Sequence, residues 1–256
     1  MNGIAKRIDG MVIALCATLL FLSQGLIGQT TVAYNNSGEA IVAAQNNKQY
    51  LFVLFYDTKG ESLTAMESSV NDFKNKSSEK ILFYKARTTD DKEQDVIKVY
   101  GINRAPLPLL LVFAPNGAVT GGFPKEVSMD SLEKSIVPTV VMNALKTVQD
   151  GKIALVLLQN IKTKFNNESS KAAEEFAGDS TMKGYVDIIK ADPSDPKNSD
   201  FLSSSKLSKD ITEATVVFIV PPGSIAGVYK GKITKDTLVT AFSKCSSGSG
   251  SGCCPK

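Results

Sequence analysis

Histidine and tryptophan are both missing from this 256-residue chain, and its four cysteines leave an empty stretch from Ala17 to Lys244. Without histidine the commonest general base is gone, together with every Ser-His or Cys-His catalytic pairing and the usual nitrogen ligand for zinc. The cysteine gap excludes dithiol chemistry from any domain folded within it. An excess of one charge is lacking too. Lys and Arg number 29 against 26 Asp and Glu, and the lysines are scattered among acidic residues, so no basic stripe offers itself to nucleic acid. What is present is an ordinary globular balance, 43% hydrophobic and 21% charged, in a length that suits two domains of about 100 residues each.

The amino terminus carries a positive flank, Lys6 and Arg7, and then an apolar run from Met11 to Leu22. Ser23-Gln24-Gly25 or Leu26-Ile27-Gly28 could precede a cleavage point, so residues 1–28 are expected to be a signal peptide. The expectation that follows is an exported protein, periplasmic or extracellular, or in the secretory lumen of a eukaryote. The run is short for a membrane span, which needs about 20 apolar residues, so membrane contact is expected only if the segment is retained. Cys16 follows Leu15 in the middle of the run instead of a small residue at its end, which argues against lipidation.

Beyond this segment, helix and strand signals alternate. Glu39–Gln49 reads as a helix, and Tyr50–Tyr56 (YLFVLFY) is a continuous apolar run of the length of a strand buried on both faces. Leu63, Met66, Val70 and Phe73 have helical spacing within 62–76. A strand at 80–86, a short helix at 92–100 and a strand at 109–113 follow. Asn116-Gly117 then forms a hairpin turn, 118–123 pairs back, and a last helix runs from about Ser128 to Ile136.

Tyr100-Gly101-Ile102, followed by Pro108-Leu109-Leu110-Leu111-Val112-Phe113 and the Asn-Gly turn, resembles thioredoxin. In that family such a helix end leads to a cis-proline that borders a groove receiving extended polypeptide. The resemblance makes Pro108 the candidate cis-proline; a long connecting loop, Asn103–Leu107, leaves Pro106 as a rival. The family's Cys-x-x-Cys, held at a helix amino end where the dipole favours thiolate, falls here on Gly60-Glu61-Ser62-Leu63. No thiol stands there, and Ser62 reads as a cap or first-turn residue with no base to activate it.

The second half repeats the order. A connecting helix over 138–150 leads to a strand at 153–158, a helix at 168–177, a strand at 185–190, helical residues at 200–207, a strand at 215–220, a Pro221-Pro222-Gly223 turn, a return strand at 225–229 and a capped helix at 234–242. Ala214 occupies the position expected for a cis-proline. The fold class is therefore α/β, two tandem thioredoxin-like domains at 34–137 and 151–244, resembling the non-catalytic domains of protein disulfide isomerase-like proteins. Each half, with a complete sheet, is expected to fold on its own.

The remaining cysteines, Cys245, Cys253 and Cys254, lie in a Gly/Ser-rich tail at 245–256, expected to be flexible. Three is an odd number, so a fully paired monomer is excluded and a disulfide-linked homodimer is open. The function that follows is a redox-inactive module that binds or scaffolds a polypeptide partner. Two alternatives rest on the tail: binding of a soft metal such as Cu(I) by its thiolates, and thiol-disulfide exchange by an arm lacking a built groove.

Overall fold

The computed structural model describes the backbone of residues 33–247 and the side chains of residues 33–244. The expected signal segment with Cys16, and Cys253 and Cys254, lie outside the described residues. Two sheets of the same topology follow one another.

In the first half, α1 (Ser37–Asn46), β1 (Tyr50–Tyr56), α2 (Glu61–Lys76), β2 (Ile81–Arg87), α3 (Gln94–Tyr100), β3 (Leu109–Phe113), β4 (Val119–Pro124) and α4 (Met129–Ser135) build a sheet of order β2-β1-β3-β4. β1 runs parallel to β2 and antiparallel to β3, and β4 is antiparallel to β3. The unbroken apolar β1 follows from this place: Phe52 and Leu54 pack under α2 and α4 with Met66, Val70, Phe73 and Leu132, while Leu51, Val53 and Phe55 pack under α1 and α3. Phe52 stacks on Phe73 with centroids 5.8 Å apart.

The second half has α5 (Thr139–Gln149), β5 (Ile153–Leu158), α6 (Asn166–Ala177), β6 (Val186–Ala191), α7 (Ser199–Ser204), β7 (Thr215–Val220), β8 (Ser224–Lys230) and α8 (Lys235–Ser247), with sheet order β6-β5-β7-β8. This is the architecture of two tandem thioredoxin-like domains. The segment expected as a connecting helix is the first helix of the second sheet: Val140, Ala144 and Val148 of α5 share a core with Val156, Leu158 and Val217. Its chain exit repeats that of α1. Gln49 N–H donates to Ala44 O after the positive-φ residue Lys48, and Lys152 N–H donates to Thr147 O after the positive-φ residue Gly151.

α5 also reaches back to the first half. Asn116 Nδ2 donates to Met142 O at 2.9 Å and to Asn143 Oδ1 at 3.1 Å. The Gln149 side-chain amide pairs with both backbone groups of Val119 on the edge strand β4, at 2.9 and 2.8 Å. Tyr50 Oη donates to Val137 O and accepts from Val137 N–H. The halves are thus tied together by hydrogen bonds across their junction.

A second difference concerns the carboxyl end. The last helix was expected to stop at Phe242 and the flexible tail to begin at Cys245, but α8 continues to Ser247, so the Cys245 backbone is helical. Nothing in Lys244-Cys245-Ser246-Ser247 breaks a helix, since proline and glycine are missing from it. Among the described residues no helix is long and apolar enough to cross a membrane.

Candidate functional site

The β-bulges of the two sheets, between Val112 and Phe113 and between Phe218 and Ile219, put the halves in register. On that register Pro108 corresponds to Ala214, Leu107 to Glu213 and Lys125 to Gly231. A hydrogen bond confirms it: Lys125 N–H donates to Pro108 O, and Gly231 N–H donates to Ala214 O. Both donors have positive φ. The Leu107–Pro108 peptide is cis, and so is Pro221–Pro222 in the β7–β8 turn; the bond to Pro106 is not among the cis bonds of the described residues.

In the first half, β1 reaches α2 through the short loop Asp57–Gly60. Gly60 is the N-cap with extended backbone and no side-chain cap, and Ser62 lies exposed in the first helical turn. Thr58 N–H donates to Asp57 Oδ1, which holds the Asp57 carboxyl below its ordinary range. Beside this helix start, α2 and the chain after β4 leave an open groove of about 680 Å³, lined by Glu61, Ser62, Met66, Pro124, Lys125 and Val127 among others. Met66 forms an apolar floor at 1% exposure. Half-buried Leu107 packs with the cluster under α1 and α3, and its neighbour Pro108 accepts from the lining residue Lys125; the N–H and C=O of Leu107 have no backbone hydrogen-bond partner among the described residues. Pro108 has no N–H to give.

The second half handles the same place differently. Its loop, Gln159–Phe165, is longer and is held by side-chain amides. Asn160 Nδ2 donates to Asp192 Oδ1 and Ser194 Oγ, both at 2.8 Å, and Asn166 Nδ2 donates back to Asn160 O at 2.7 Å. The Asn160 bond, with others, lowers the pKa of Asp192. Lys164 then forms a parallel bridge with Glu213: its N–H donates to Thr212 O at 2.9 Å, and its C=O accepts from Ala214 N–H at 2.8 Å. Buried Ser169 on α6 donates from Oγ to Gly231 O at 2.9 Å, across the gap that corresponds to the first half's groove.

No thiol, histidine or other activated nucleophile stands at either helix start. Among the described residues no group of three or more acidic, Cys or His side chains could hold a metal. Of the cysteines proposed for thiol or metal chemistry, only the backbone of Cys245 is placed, in the last turn of α8. Cys253 and Cys254 lie outside the described residues.

Sequence reasoning missed the Lys164–Glu213 bridge, since nothing in Lys162-Thr163-Lys164-Phe165 marks a strand. It also missed a repeat that could have been seen: Gly121-x-Phe123 and Gly227-x-Tyr229 fall at matching places on β4 and β8. A Cβ at Gly121 would stand 2.7 Å from the Phe123 ring, and one at Gly227 2.5 Å from the Tyr229 hydroxyl. Each glycine is the room into which the aromatic ring folds.

Neither a protein-family model nor a curated protein sequence matches the chain. Among solved structures it is similar to the germline-specific thioredoxin Deadhead of Drosophila melanogaster, at 22% identity over 38% of this chain and 85% of that one, TM-score 0.30. It is also similar to human ERp44 in its zinc-bound form, at 15% identity over 80% of this chain and 58% of that one, TM-score 0.33. The first two thioredoxin domains of Naumovozyma dairenensis Eps1p share 10% identity over 81% of this chain and 95% of that one, TM-score 0.30. The chain thus spans little more than half of the ERp44 structure. The thioredoxin-like reading of each half rests on its own strand order.

Proposed function

We propose that this chain binds extended polypeptide through its first domain and does not exchange disulfides there. The observation that carries the reading is the open edge at Leu107, with unpaired backbone groups beside a groove of apolar floor and polar rim. An extended segment laid along that edge would satisfy the N–H and C=O of Leu107 in the manner of an added strand, and could place a side chain over Met66. Redox chemistry at this place would need a thiolate nucleophile, and residues 17–244 contain no cysteine.

The reading is tested with reduced, carboxymethylated lactalbumin, a permanently unfolded chain, titrated into the full-length protein while amide exchange is followed. Slowed exchange at Leu107 on saturation supports it. Binding that leaves Leu107 and the groove residues unprotected overturns it. In parallel, insulin reduction should stay at the uncatalysed rate; turnover that survives removal of Cys245, Cys253 and Cys254 would refute the claim of redox inactivity.

A further inference from the structure

We infer that the turn carrying Ile161, between β5 and α6, is an anchor for a second copy of this chain, and that the groove beside α2 of that copy receives it. The inference uses the groove described above but does not depend on its also taking other polypeptides. Ile161 is 98% exposed, yet the turn that holds it out is firmly built. Thr163 N–H donates to Asn160 O at 3.2 Å, which closes the turn, and Lys162 N–H donates to Asn160 Oδ1 at 2.8 Å. Asn166 Nδ2 donates to the same Asn160 O at 2.7 Å, and Asn160 Nδ2 donates beyond the loop to Asp192 Oδ1 and Ser194 Oγ. The bond from Lys164 N–H to Thr212 O then fixes the return of the chain. An aliphatic side chain presented by a turn braced in this way gives up little backbone freedom when a partner covers it, so its burial is translated into affinity with small loss.

The groove in the first half has the complementary character. Its floor is Met66, at 1% exposure, and its volume of about 680 Å³ leaves room for the tip of a turn. The carboxylates of Glu61 and Glu126 stand on its rim with the ammonium of Lys125, an excess of one negative charge, and neither carboxylate is paired among the described residues. The anchor is flanked by two positive charges, Lys162 and Lys164, which form no ion pair among the described residues either. The carboxylate at the base of the loop, Asp192, already accepts from Asn160 Nδ2 and Ser194 N–H. Apolar tip meets apolar floor, and basic flanks meet an acidic rim. The near-complete exposure of Ile161 means that the two do not meet within one chain, so they can meet only between copies. Every copy brings both halves of the contact, which is why a second copy is the occupant. Such a contact is head-to-tail, and a turn in a groove buries far less than a standard interface of about 1,600 Å², so the association is weak.

The experiment is sedimentation velocity on the full chain with a reducing agent, which keeps Cys245, Cys253 and Cys254 from linking copies covalently. The weight-average mass of the unaltered chain should rise above that of a single chain as concentration increases. Ile161→Asp should raise the Kd of the association by about tenfold or more, the effect of losing one buried aliphatic side chain. The double variant Glu61→Lys, Glu126→Lys should weaken it through like charge at the rim. All three positions are exposed, so both variants keep their fold. The decisive arm mixes the two variants. The first retains its groove and the second its anchor, so together they should form a one-to-one complex and nothing larger. A single-chain mass at every concentration of the unaltered protein would overturn the inference, as would association that Ile161→Asp leaves intact, or a mixture in which the two variants stay apart. No other polypeptide is present in these runs, so the result is independent of lactalbumin binding, and failure of either reading is seen separately from failure of the other.

Discussion

The two halves share a strand order and differ where polar groups must be satisfied, and the first difference lies at the start of their leading helices. In the first half, Asn36 caps α1 by accepting from Glu39 N–H, and Glu93, at 1% exposure, accepts from the backbone and hydroxyl of Ser37. Tyr84 Oη donates to the same carboxylate. In the second half, the matching 3-10 turn places Asn198 where Glu93 stands, its amide donates instead to Asp192 O, and α5 begins at Pro138 without a side-chain cap. The lesson is that one fold tolerates a buried carboxylate in one copy and none in the other, provided each copy's donors find partners. The same rule governs the segments before β3 and β7: the second half satisfies Thr212 O and Ala214 N–H through Lys164, and the counterparts in the first half, Pro106 and Pro108, have no N–H that needs a partner.

The sharpest way to break this comparison is to remove the buried carboxylate. Glu93→Ala leaves Ser37 N–H, Ser37 Oγ–H and Tyr84 Oη–H without their acceptor, which should cost about 2–3 kcal/mol and lower Tm by roughly 5–10 °C. Burial and the neighbouring carboxylate both raise the pKa of Tyr84, so its titration should move toward the ordinary value in the variant. Asn198→Ala, the counterpart, should cost about 1 kcal/mol, the worth of one neutral hydrogen bond. Equal losses from the two substitutions, read from thermal melts, would show that the halves do not differ as described.

A smaller effect probes what the halves share. Gly121→Ala and Gly227→Ala should each drive an aromatic ring from its seat over the edge strand, at about 1–2 kcal/mol apiece. The loss should be greater at Gly121, where Ser135 Cβ also stands 3.2 Å from the added carbon. Melts of the two variants, with Phe123→Leu and Tyr229→Leu in second sites to relieve the clash, check the cause. Failure of the double variants to recover would point to the backbone instead of the ring.

Next comes the contact between the halves. Asn116→Ala and Gln149→Ala each remove side-chain bonds across the junction and should cost about 1 kcal/mol each. Their clearer signature is in cooperativity: the unaltered chain should melt in one transition, and the double variant should broaden or split it. A split transition in the unaltered chain would show that α5 does not couple the domains.

Much of this was open to the sequence. YLFVLFY and IALVLL are the central strands, and the alternation of helix and strand signals matches the order of elements, because both faces of each sheet are covered and apolar runs mark that directly; several helix ends differ by two to five residues. Pro108 and Ala214 occupy corresponding positions of the two sheets. The helix 138–150 was legible as a helix but not as the first helix of a domain, since its apolar stripe reveals a buried face and not which sheet covers it. The bridge at Lys164 escaped for a different reason. It is made by backbone atoms, to which Lys164 and Glu213 lend no sequence signature. Asn116 and Gln149 look like ordinary surface polar residues until the fold brings them to a backbone that needs them.

The smallest expected effect concerns an ion pair of the second half. Lys235 Nζ lies 2.6 Å from Asp179 Oδ2, joining the end of α6 to the start of α8, and Thr181 donates from its backbone and hydroxyl to Asp179 Oδ1. These bonds, that from Lys235 foremost, hold the Asp179 carboxyl well below the ordinary carboxylate range, and the pKa of Lys235 is raised in turn. A carboxyl whose folded pKa is depressed stabilises the fold fully only above its unfolded pKa, near 3.9 for Asp, and loses that contribution as pH falls through the folded value. Asp179→Asn should therefore lower Tm by a small amount at pH 7, and the gap between variant and parent should shrink as the pH is lowered from about 4. Salt should narrow it as well, because the pair is in contact with solvent and is screened. A gap that stays constant from pH 7 to pH 2 would mean that the charge on Asp179 contributes nothing and that its hydrogen bonds to Thr181, which asparagine can keep in part, carry the whole junction between α6 and α8.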